Sequence, residues 1–265
     1  VFAANGYRTA LYGKWHLGDD YPYRPHDRGF HDAITFGGGA ISCTADHWGN
    51  KYFDDTYWHN GRPEKCSGYC TDVFFAKGLE FIEQNRGRPF FLALTLNAPH
   101  GPYLVDERYS WPYLETGQPP RVAAFHGMIA NLDENFGRLR KRLRQLGLED
   151  NTILIFLTDN GTASDRVPAG EAPQLFNAGM RGFKMSPYDG GHRVPFFIRW
   201  PAGRIGGGKD IPRLAADIDV LSTLVDLAGI KAPKSLPRDG ISLSPQLTGR
   251  GAFPAARFYF AQHAV

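Results

Sequence analysis

Six polar side chains of chemically useful types lie near apolar, strand-like runs of the sequence, five at or after the end of a run and one before a run. They are two lysines, two histidines and an Asp-Asn pair: Lys14, His16, His100, Asp159, Asn160 and Lys184. Carboxylate and amide oxygens suit a hard cation such as Ca²⁺ or Mg²⁺, and ammonium groups suit the oxygens of a tetrahedral anion. Histidines can carry protons to a leaving group or away from a nucleophile. The set therefore predicts transfer of a sulfuryl or phosphoryl group.

The elements that must position these side chains are apolar strands alternating with amphipathic helices. Strand-like runs cover residues 7–16, 89–96, 151–158 and 193–200, and helical spacing of apolar residues covers 71–84, 121–146 and 216–228. We expect Thr71 to cap the first helix and the run at 89–96 to be a central strand covered on both faces. The alternation predicts an α/β fold with a mostly parallel central sheet sandwiched by helices. Ligands of such sheets bind at the carboxyl ends of the strands, where the six side chains should lie.

Composition excludes disorder over the whole length. The chain has 265 residues, of which 42% are hydrophobic, 14% aromatic and 22% charged. Its 31 Gly and 19 Pro predict long loops. The net charge is +3, and the densest basic run, residues 138–144, alternates with leucines as a solvated helix face does, so we expect no nucleic-acid partner. No run of 18 apolar residues occurs, so we expect no transmembrane segment.

The remaining histidines, glycines and cysteines give weaker signals. His26, His31, His47 and His59 have irregular spacing and aromatic neighbours, which favours a surface above the active site over a metal cluster. The glycine runs at 37–39 and 206–208 lack phosphate-loop spacing and are interpreted as ordinary loops. Three cysteines are too few for a disulfide framework. Of these, Cys66 and Cys70 are near enough in sequence to pair locally.

Five segments carry a family resemblance. Residues 6–18, GYRTALYGKWHLG, closely resemble the second signature of the sulfatase family. In the family's order, residues 97–102 are similar to its His-bearing loop, 158–161 to its metal-binding strand end, 181–195 to its second lysine loop, and 239–249 to the segment leading to a small C-terminal subdomain. The second lysine loop has Asp189 where Glu is commoner. The resemblance covers nearly the whole chain and implies an arylsulfatase-like sulfuric ester hydrolase of the alkaline phosphatase superfamily.

The resemblance implies a role for each lysine and histidine. Lys14 and Lys184 would hold the sulfate oxygens. His16 would act on the hydroxyl of the nucleophile, and His100 would contact the sulfate and protonate the leaving oxygen. We therefore expect all four side chains to be catalytic, with Lys14, His100 and Lys184 also binding the substrate.

The resemblance also implies two cofactors. Asp159 and Asn160 would ligate a divalent cation, usually Ca²⁺ in this family, with Mg²⁺ as the other choice. The nucleophile would be a formylglycine made from Cys or Ser in a Cys/Ser-x-Pro/Ala-x-Arg motif, which the sequence does not contain. Residues 43–47 have Ala in the right place but His47 where Arg is needed. We expect the motif upstream of residue 1 and the fragment alone to be inactive.

Domain organisation and substrate follow as expectations from the resemblance. Residues 1–240 would form an N-terminally truncated sulfatase-like catalytic domain, and 241–265 the truncated start of a smaller C-terminal subdomain. The partner would be a sulfated small molecule or a sulfated glycan, and the family's habit is a periplasmic, secreted or lysosomal location. Two alternatives stay open: a phosphatase or phosphonate monoester hydrolase of the same superfamily, and a non-catalytic relative that binds sulfated glycans. The sequence predicts no oligomeric state.

Overall fold

The computed structural model describes residues 1–41, 43, 46, 48–163, 175–233, 238–250, 254 and 257–259. The chain divides into two compact units, Val1–Leu148 and Glu149–Val265. The predicted domain boundary after residue 240 stays a prediction. In the described part of the chain, no helix is long and apolar enough to cross a membrane.

The first unit is built on a five-stranded mixed sheet. Its strands are β1 (Arg8–Lys14), β2 (Asp32–Phe36), β3 (Thr56–His59), β4 (Arg62–Lys65) and β5 (Phe90–Thr95), in the spatial order β4-β3-β2-β1-β5. β1 is parallel to both β2 and β5, whereas β2–β3 and β3–β4 are antiparallel pairs. Because β2, β1 and β5 run in one direction, their carboxyl ends meet at one edge of the sheet.

The covered strand of this sheet is β1. Residues 9–13 are all buried, and the polar groups among them are hydrogen-bonded: Thr9 Oγ1 donates to Gly29 O at 2.7 Å and Tyr12 Oη donates to Asp32 Oδ2 at 2.6 Å. The apolar run at 89–96 forms β5, which ends the order of the described strands, and each of its six residues keeps some exposure. The expectation that this run is a fully covered central strand is therefore wrong.

In the described part of the first unit, the helices are α1 (Cys70–Gln84), α2 (Glu107–Glu115) and α3 (Pro120–Gln145). A short 3₁₀ turn, Ala3–Asn5, precedes the sheet. α1 and α3 match their predicted ranges, but the N-cap of α1 is Tyr69, so the expectation that Thr71 caps it is wrong. α2 was not predicted, although Asp106 caps it by accepting from Arg108 N at 3.0 Å.

The core of the first unit lies between the sheet and its helices. It joins buried aromatic and aliphatic side chains of β1, β2 and α1 to α3, among them Tyr12, Ile34, Phe36, Phe74 and Met128. The basic run at 138–144 lies on α3, where Arg142 Nε donates to Glu83 Oε1 at 2.6 Å. Cys66 and Cys70 are buried free thiols, so the suggested local pairing is wrong. Burial raises the pKa of the Cys70 thiol to about 12, which keeps it protonated.

The second unit contains β6 (Leu154–Leu157) and β7 (Phe196–Arg199), which pair antiparallel. Its helices are α4 (Asp189–His192), α5 (Ile218–Ala228) and α6 (Ser244–Thr248), with a 3₁₀ turn at Pro201–Gly203. The fully buried Asp219 at the start of α5 accepts hydrogen bonds from the Arg257 guanidinium and from Tyr259 Oη. Burial raises the pKa of Asp219, but these donors outweigh it and hold that pKa below its ordinary value.

The predicted fold class is confirmed. Helices flank a central sheet in an α/β arrangement, and that sheet is mixed. Among the described strands, β2, β1 and β5 pair in parallel, while the hairpin of β3 and β4 adds the antiparallel part.

Candidate active site

The carboxyl edge of the first unit's sheet brings Lys14 to the segment that carries His100. Lys14 is the last residue of β1, and β5 ends at Thr95, which pairs with Gly13. Thr95 Oγ1 donates to the Lys14 carbonyl oxygen at 2.6 Å, which fixes the end of β1 against the end of β5. Gly13 has φ +122°, and a Cβ there would lie 2.1 Å from Thr95 O, so only glycine allows this approach.

A glycine loop positions His16. The loop at 37–39 follows β2, and a Cβ on Gly39 would lie 2.6 Å from His16 Cε1, so the imidazole packs directly on the glycine backbone. His16 itself has φ +50°, a left-handed conformation that the fold imposes on a non-glycine residue. Its ring makes no hydrogen bond with the described residues. The interpretation of 37–39 as an ordinary loop therefore missed a positioning element, whose signal was a glycine run after a parallel strand.

The imidazole of His100 has one defined hydrogen bond. Its Nδ1 lies 2.7 Å from Gly101 O, and because a carbonyl only accepts, Nδ1 carries a proton. Nε2 is then the ring atom that can exchange a proton with a ligand. The backbone of His100 is fixed on both sides, since its N donates to Asn97 O and its O accepts from Tyr52 Oη, each at 2.9 Å.

Asn97 connects two loops of the first unit. It is buried, and its Oδ1 accepts from Ile41 N at 2.9 Å. This bond ties the loop after β2 to the loop after β5. Three strand ends of the first unit are therefore joined at one edge, with Lys14 and His16 on the middle one and His100 on an outer one.

The second unit brings Asp159 and Asn160 to the segment that carries Lys184. The Asp-Asn pair follows β6, and the next two residues bond to the later segment: Gly161 N donates to Gly191 O at 2.9 Å, and Lys184 N donates to Thr162 O at 2.8 Å. A Cβ on Gly161 would lie 1.9 Å from Gly190 O, so the two segments touch backbone to backbone. Lys184 is half-buried, and Asp159 is exposed.

A family profile covers most of the chain. The profile of the Sulfatase family matches residues 1–230. The chain belongs to the sulfatase family. The resemblance predicted from residues 6–18 is thus confirmed, and the sulfatase chain can be compared with its relatives over nearly its whole length.

Three relatives illustrate the likeness. The uncharacterized sulfatase YdeN of Escherichia coli (strain K12) is 28% identical over 272 residues, which cover 93% of this chain and 46% of that protein. Human N-acetylgalactosamine-6-sulfatase is 28% identical over 270 residues, covering 96% of this chain and 49% of that protein. The crystal structure of Ps i-CgsB in complex with k-i-k-neocarrahexaose has a TM-score of 0.81 and 26% identity, covering 93% of this chain and 56% of that chain. The sulfatase chain spans about half the length of the relatives it matches.

The donor set of the sulfatase chain fits part of a hard-cation site. Asp159 offers carboxylate oxygens, and Asn160 Nδ2 donates to Gly161 O at 3.0 Å, which leaves the amide oxygen as the atom that can face a cation. Ca²⁺ takes six to eight oxygens, so these two residues would supply only a share of its ligands. Among the residues that the structure describes, no group of three or more His, Cys, Asp or Glu could hold a metal ion.

A second polar cluster of the sulfatase chain lies at the opposite, amino-terminal edge of the first unit's sheet. His59 Nε2 lies 2.7 Å from Asp32 Oδ1, and His59 Nδ1 contacts Glu64 Oε2. Lys77 Nζ is 3.1 Å from Glu64 Oε1, and Tyr12 Oη donates to Asp32. We call these five residues the amino-edge cluster. Burial lowers the pKa of His59, but its hydrogen bonds to the two carboxylates outweigh it and raise that pKa above its ordinary value.

This placement corrects one expectation about the histidines. His31 bonds through Nδ1 to Thr9 Oγ1 at 2.7 Å, near the start of β1, and His59 lies beside the first residue of β2. Neither lies above the carboxyl edge. His31 ends the connection that returns the chain from β1 to the start of the parallel β2, and His59 ends β3, which runs antiparallel to β2. His26 lies near Asp27 in the same returning connection, and His47 lies outside the described residues.

Proposed function

We propose that the full protein carrying this chain hydrolyses sulfate esters. The observation that supports it most is the position of Lys14 and His16 in a chain whose residues 1–230 match the sulfatase family. Lys14 is the last residue of β1 and His16 lies two residues further, and the carboxyl end of β1 meets those of its two parallel neighbours. That edge is where α/β sheets bind their ligands.

The lysines would neutralise the charge of the sulfate group. Lys14 and Lys184 each carry an ammonium group suited to sulfate oxygens, and each is held through its own backbone by a hydrogen bond, from Thr95 Oγ1 and to Thr162 O respectively. A donor fixed in advance stabilises developing charge without reorganisation, and removing one such donor costs about 3–4 kcal/mol of transition-state stabilisation.

The histidines would move protons. Since Nδ1 of His100 donates to Gly101 O, a proton on Nε2 can pass to the leaving oxygen of the ester. His16, held against Gly39, would act on the hydroxyl of the nucleophile. Backbone contacts hold both rings in place for these roles, since Gly101 O accepts from His100 Nδ1 and Gly39 packs against His16.

Two groups would complete the chemistry. Asp159 and Asn160 would hold Ca²⁺, or Mg²⁺, which when bound adds positive charge beside the ester. The nucleophile would be a formylglycine, which the Cys/Ser-x-Pro/Ala-x-Arg motif would supply from a part of the full protein other than these 265 residues. We accordingly expect the 265-residue fragment to be inactive on its own. A periplasmic, secreted or lysosomal location belongs to the same proposal.

The test is turnover by the full natural protein on a matched pair of chromogenic aryl esters, one sulfate and one phosphate. We expect hydrolysis of the sulfate and little hydrolysis of the phosphate. The 265-residue fragment, checked for a folded circular-dichroism spectrum, serves as the inactive reference. Preference for the phosphate would replace the sulfatase assignment by the phosphatase alternative. Absence of turnover on both esters, with retained binding of a sulfated saccharide, would favour the non-catalytic relative.

A further inference from the structure

The loop directly after His16, residues 17–23, is closed and anchored. Trp15 Nε1 donates to Gly18 O at 3.1 Å and to Tyr23 O at 2.8 Å, so one indole holds both ends. Gly18 has φ +111°, and a Cβ there would lie 2.6 Å from Tyr23 Cβ. The Trp15 ring packs edge-on against Phe30, with ring centroids 5.9 Å apart. These contacts within the chain hold the loop in one shape.

This loop presents large apolar side chains outward. Leu17 is 68% exposed, Tyr21 76% and Tyr23 50%. Single exposed apolar residues are ordinary, but three within seven residues form a patch of the kind that marks an interaction surface. The patch begins one residue after His16, so anything that covers it lies beside the proposed site of ester cleavage.

Polar groups around the loop indicate the chemistry of the occupant. The Arg28 guanidinium carbon lies 5.1 Å from the centroid of the Tyr23 ring and places a positive charge at the patch. Asp19 and Asp20 are exposed in the same loop and can accept hydrogen bonds from hydroxyl groups. A sugar ring matches this set, since its C–H face covers an aromatic ring, its hydroxyls donate to carboxylates, and a sulfate substituent pairs with arginine.

We infer that residues 17–23 with Arg28 form a saccharide-binding subsite of the substrate. The occupant is a sugar unit adjoining the sulfate that is cleaved. This inference rests on the proposed sulfate ester hydrolysis and narrows its substrate class from any sulfate ester to a sulfated saccharide of at least two units. A small aryl sulfate has no second sugar unit, so we expect its binding not to depend on the loop.

The experiment compares two kinds of substrate on the full natural protein and on loop variants. In Tyr21→Ala and Tyr23→Ala, we expect KM for k-i-k-neocarrahexaose to rise about 5- to 10-fold with kcat unchanged, as for loss of one aromatic contact. The KM for a chromogenic aryl sulfate should stay within 2-fold. Tyr23→Phe keeps the ring and should keep the wild-type KM. Tyr21 is so exposed that its alanine variant tests the subsite even where Tyr23→Ala disturbs the loop.

Calorimetry with the desulfated hexasaccharide separates the two proposals. Weaker binding by Tyr21→Ala than by wild type supports the subsite whether or not the protein turns over sulfate esters. Absence of aryl sulfate turnover counts against the proposed function alone. The subsite would be overturned by unchanged KM and unchanged binding in both alanine variants, or by wild type that does not bind the hexasaccharide. If aryl sulfate turnover persists in that case, the proposed function still stands.

Discussion

The two edges of the five-stranded sheet carry similar side chains in different surroundings. At the amino edge, His59 lies between Asp32 and Glu64, and Lys77 neutralises Glu64, so each charged group there has an opposite partner. At the carboxyl edge, the described residues offer the His16 ring no hydrogen bond, and the one defined bond of the His100 ring leaves Nε2 for a ligand.

The difference teaches that residue type alone does not identify a catalytic group. Histidine, lysine and carboxylate at the amino edge saturate each other's hydrogen bonds, which is what a structural cluster does. At the carboxyl edge, Gly13, Gly39 and backbone hydrogen bonds hold the strand ends and loops in place, while Nε2 of His100 makes no hydrogen bond with the described residues. Four predictions test this contrast, from the largest expected effect to the smallest.

The first prediction concerns the lysines. In the full natural protein, Lys14→Ala and Lys184→Ala should each lower kcat/KM for a sulfate ester by about 100-fold or more, because each removes a fixed positive charge from the transition state. Steady-state kinetics measures the effect. The exposed Lys141 on α3 and Lys209 in the second unit provide matched controls, and their alanine variants should keep wild-type rates. Near-normal kcat/KM in Lys14→Ala would show that Lys14 does not stabilise the transition state.

The second prediction concerns Gly39. A methyl group at this position would lie within 2.6 Å of the His16 ring and must displace it, so Gly39→Ala should lower kcat about 10- to 100-fold. The melting temperature should change little, because the exposed imidazole can move into solvent. Gly137→Ala on the exposed face of α3 meets nothing within 4 Å and is the control, with unchanged kcat and a gain of about 0.5–1 kcal/mol in stability. Full activity in Gly39→Ala would show that catalysis does not depend on the position of the His16 ring.

The third prediction concerns the amino-edge cluster. His59→Ala leaves Asp32 and Glu64 without their shared donor, which should lower the free energy of unfolding of the first unit by about 1–2 kcal/mol. Since His59 is at the edge opposite Lys14, kcat per folded molecule should not change. Urea denaturation and kinetics on the same preparation measure both quantities. A loss of kcat without a loss of stability would contradict the structural role of the cluster.

The fourth prediction is the pH dependence of the same cluster. Folding raises the pKa of His59, so its contribution to stability is complete below the unfolded pKa of about 6.5 and is lost as pH rises through the folded pKa. Between pH 6 and pH 9, wild type should therefore lose more free energy of unfolding than His59→Gln does. The loss in wild type should exceed the loss in His59→Gln by less than about 1 kcal/mol, because the imidazole is a third exposed and solvent screens its charge. If the free energies of unfolding of the two proteins change with pH in parallel, folding does not raise the pKa of His59.

Much of the fold and the strand-end positions of the candidate residues could be predicted from local patterns. Helical period, together with the glycine stop of α3, predicted α1, α3 and α5 within two residues at each end, because these signals depend on neighbours in sequence. The helix stop at Gly147 and its positive φ are an example. Lys14 at the end of β1 and Asp159 after β6 followed from the same reasoning.

Other features depend on contacts between distant residues and could not be predicted that way. The position of β5 at the end of the sheet order depends on which strand pairs with which. On α3, apolar spacing would turn Ile129 inward, but it is 40% exposed. Asn131 and Asn135 are buried instead, because both donate to Asp72 of α1, at 2.9 Å and 2.6 Å. The placement of His31 likewise depends on the return of the chain from β1 to β2, and that of His59 on the antiparallel pairing of β3 with β2.

The hydrogen bond from Thr95 to Lys14 has a consequence for biosynthesis. The two residues are 81 positions apart, so the end of β1 cannot acquire its final support until β5 has left the ribosome. At ~5–20 residues per second, that wait lasts roughly 4 to 16 seconds. During this interval β1 can pair with β2 but exposes its other edge, which chaperones or another nascent chain can bind. Lys14 and His100 thus reach neighbouring strand ends only late in the synthesis of the first unit.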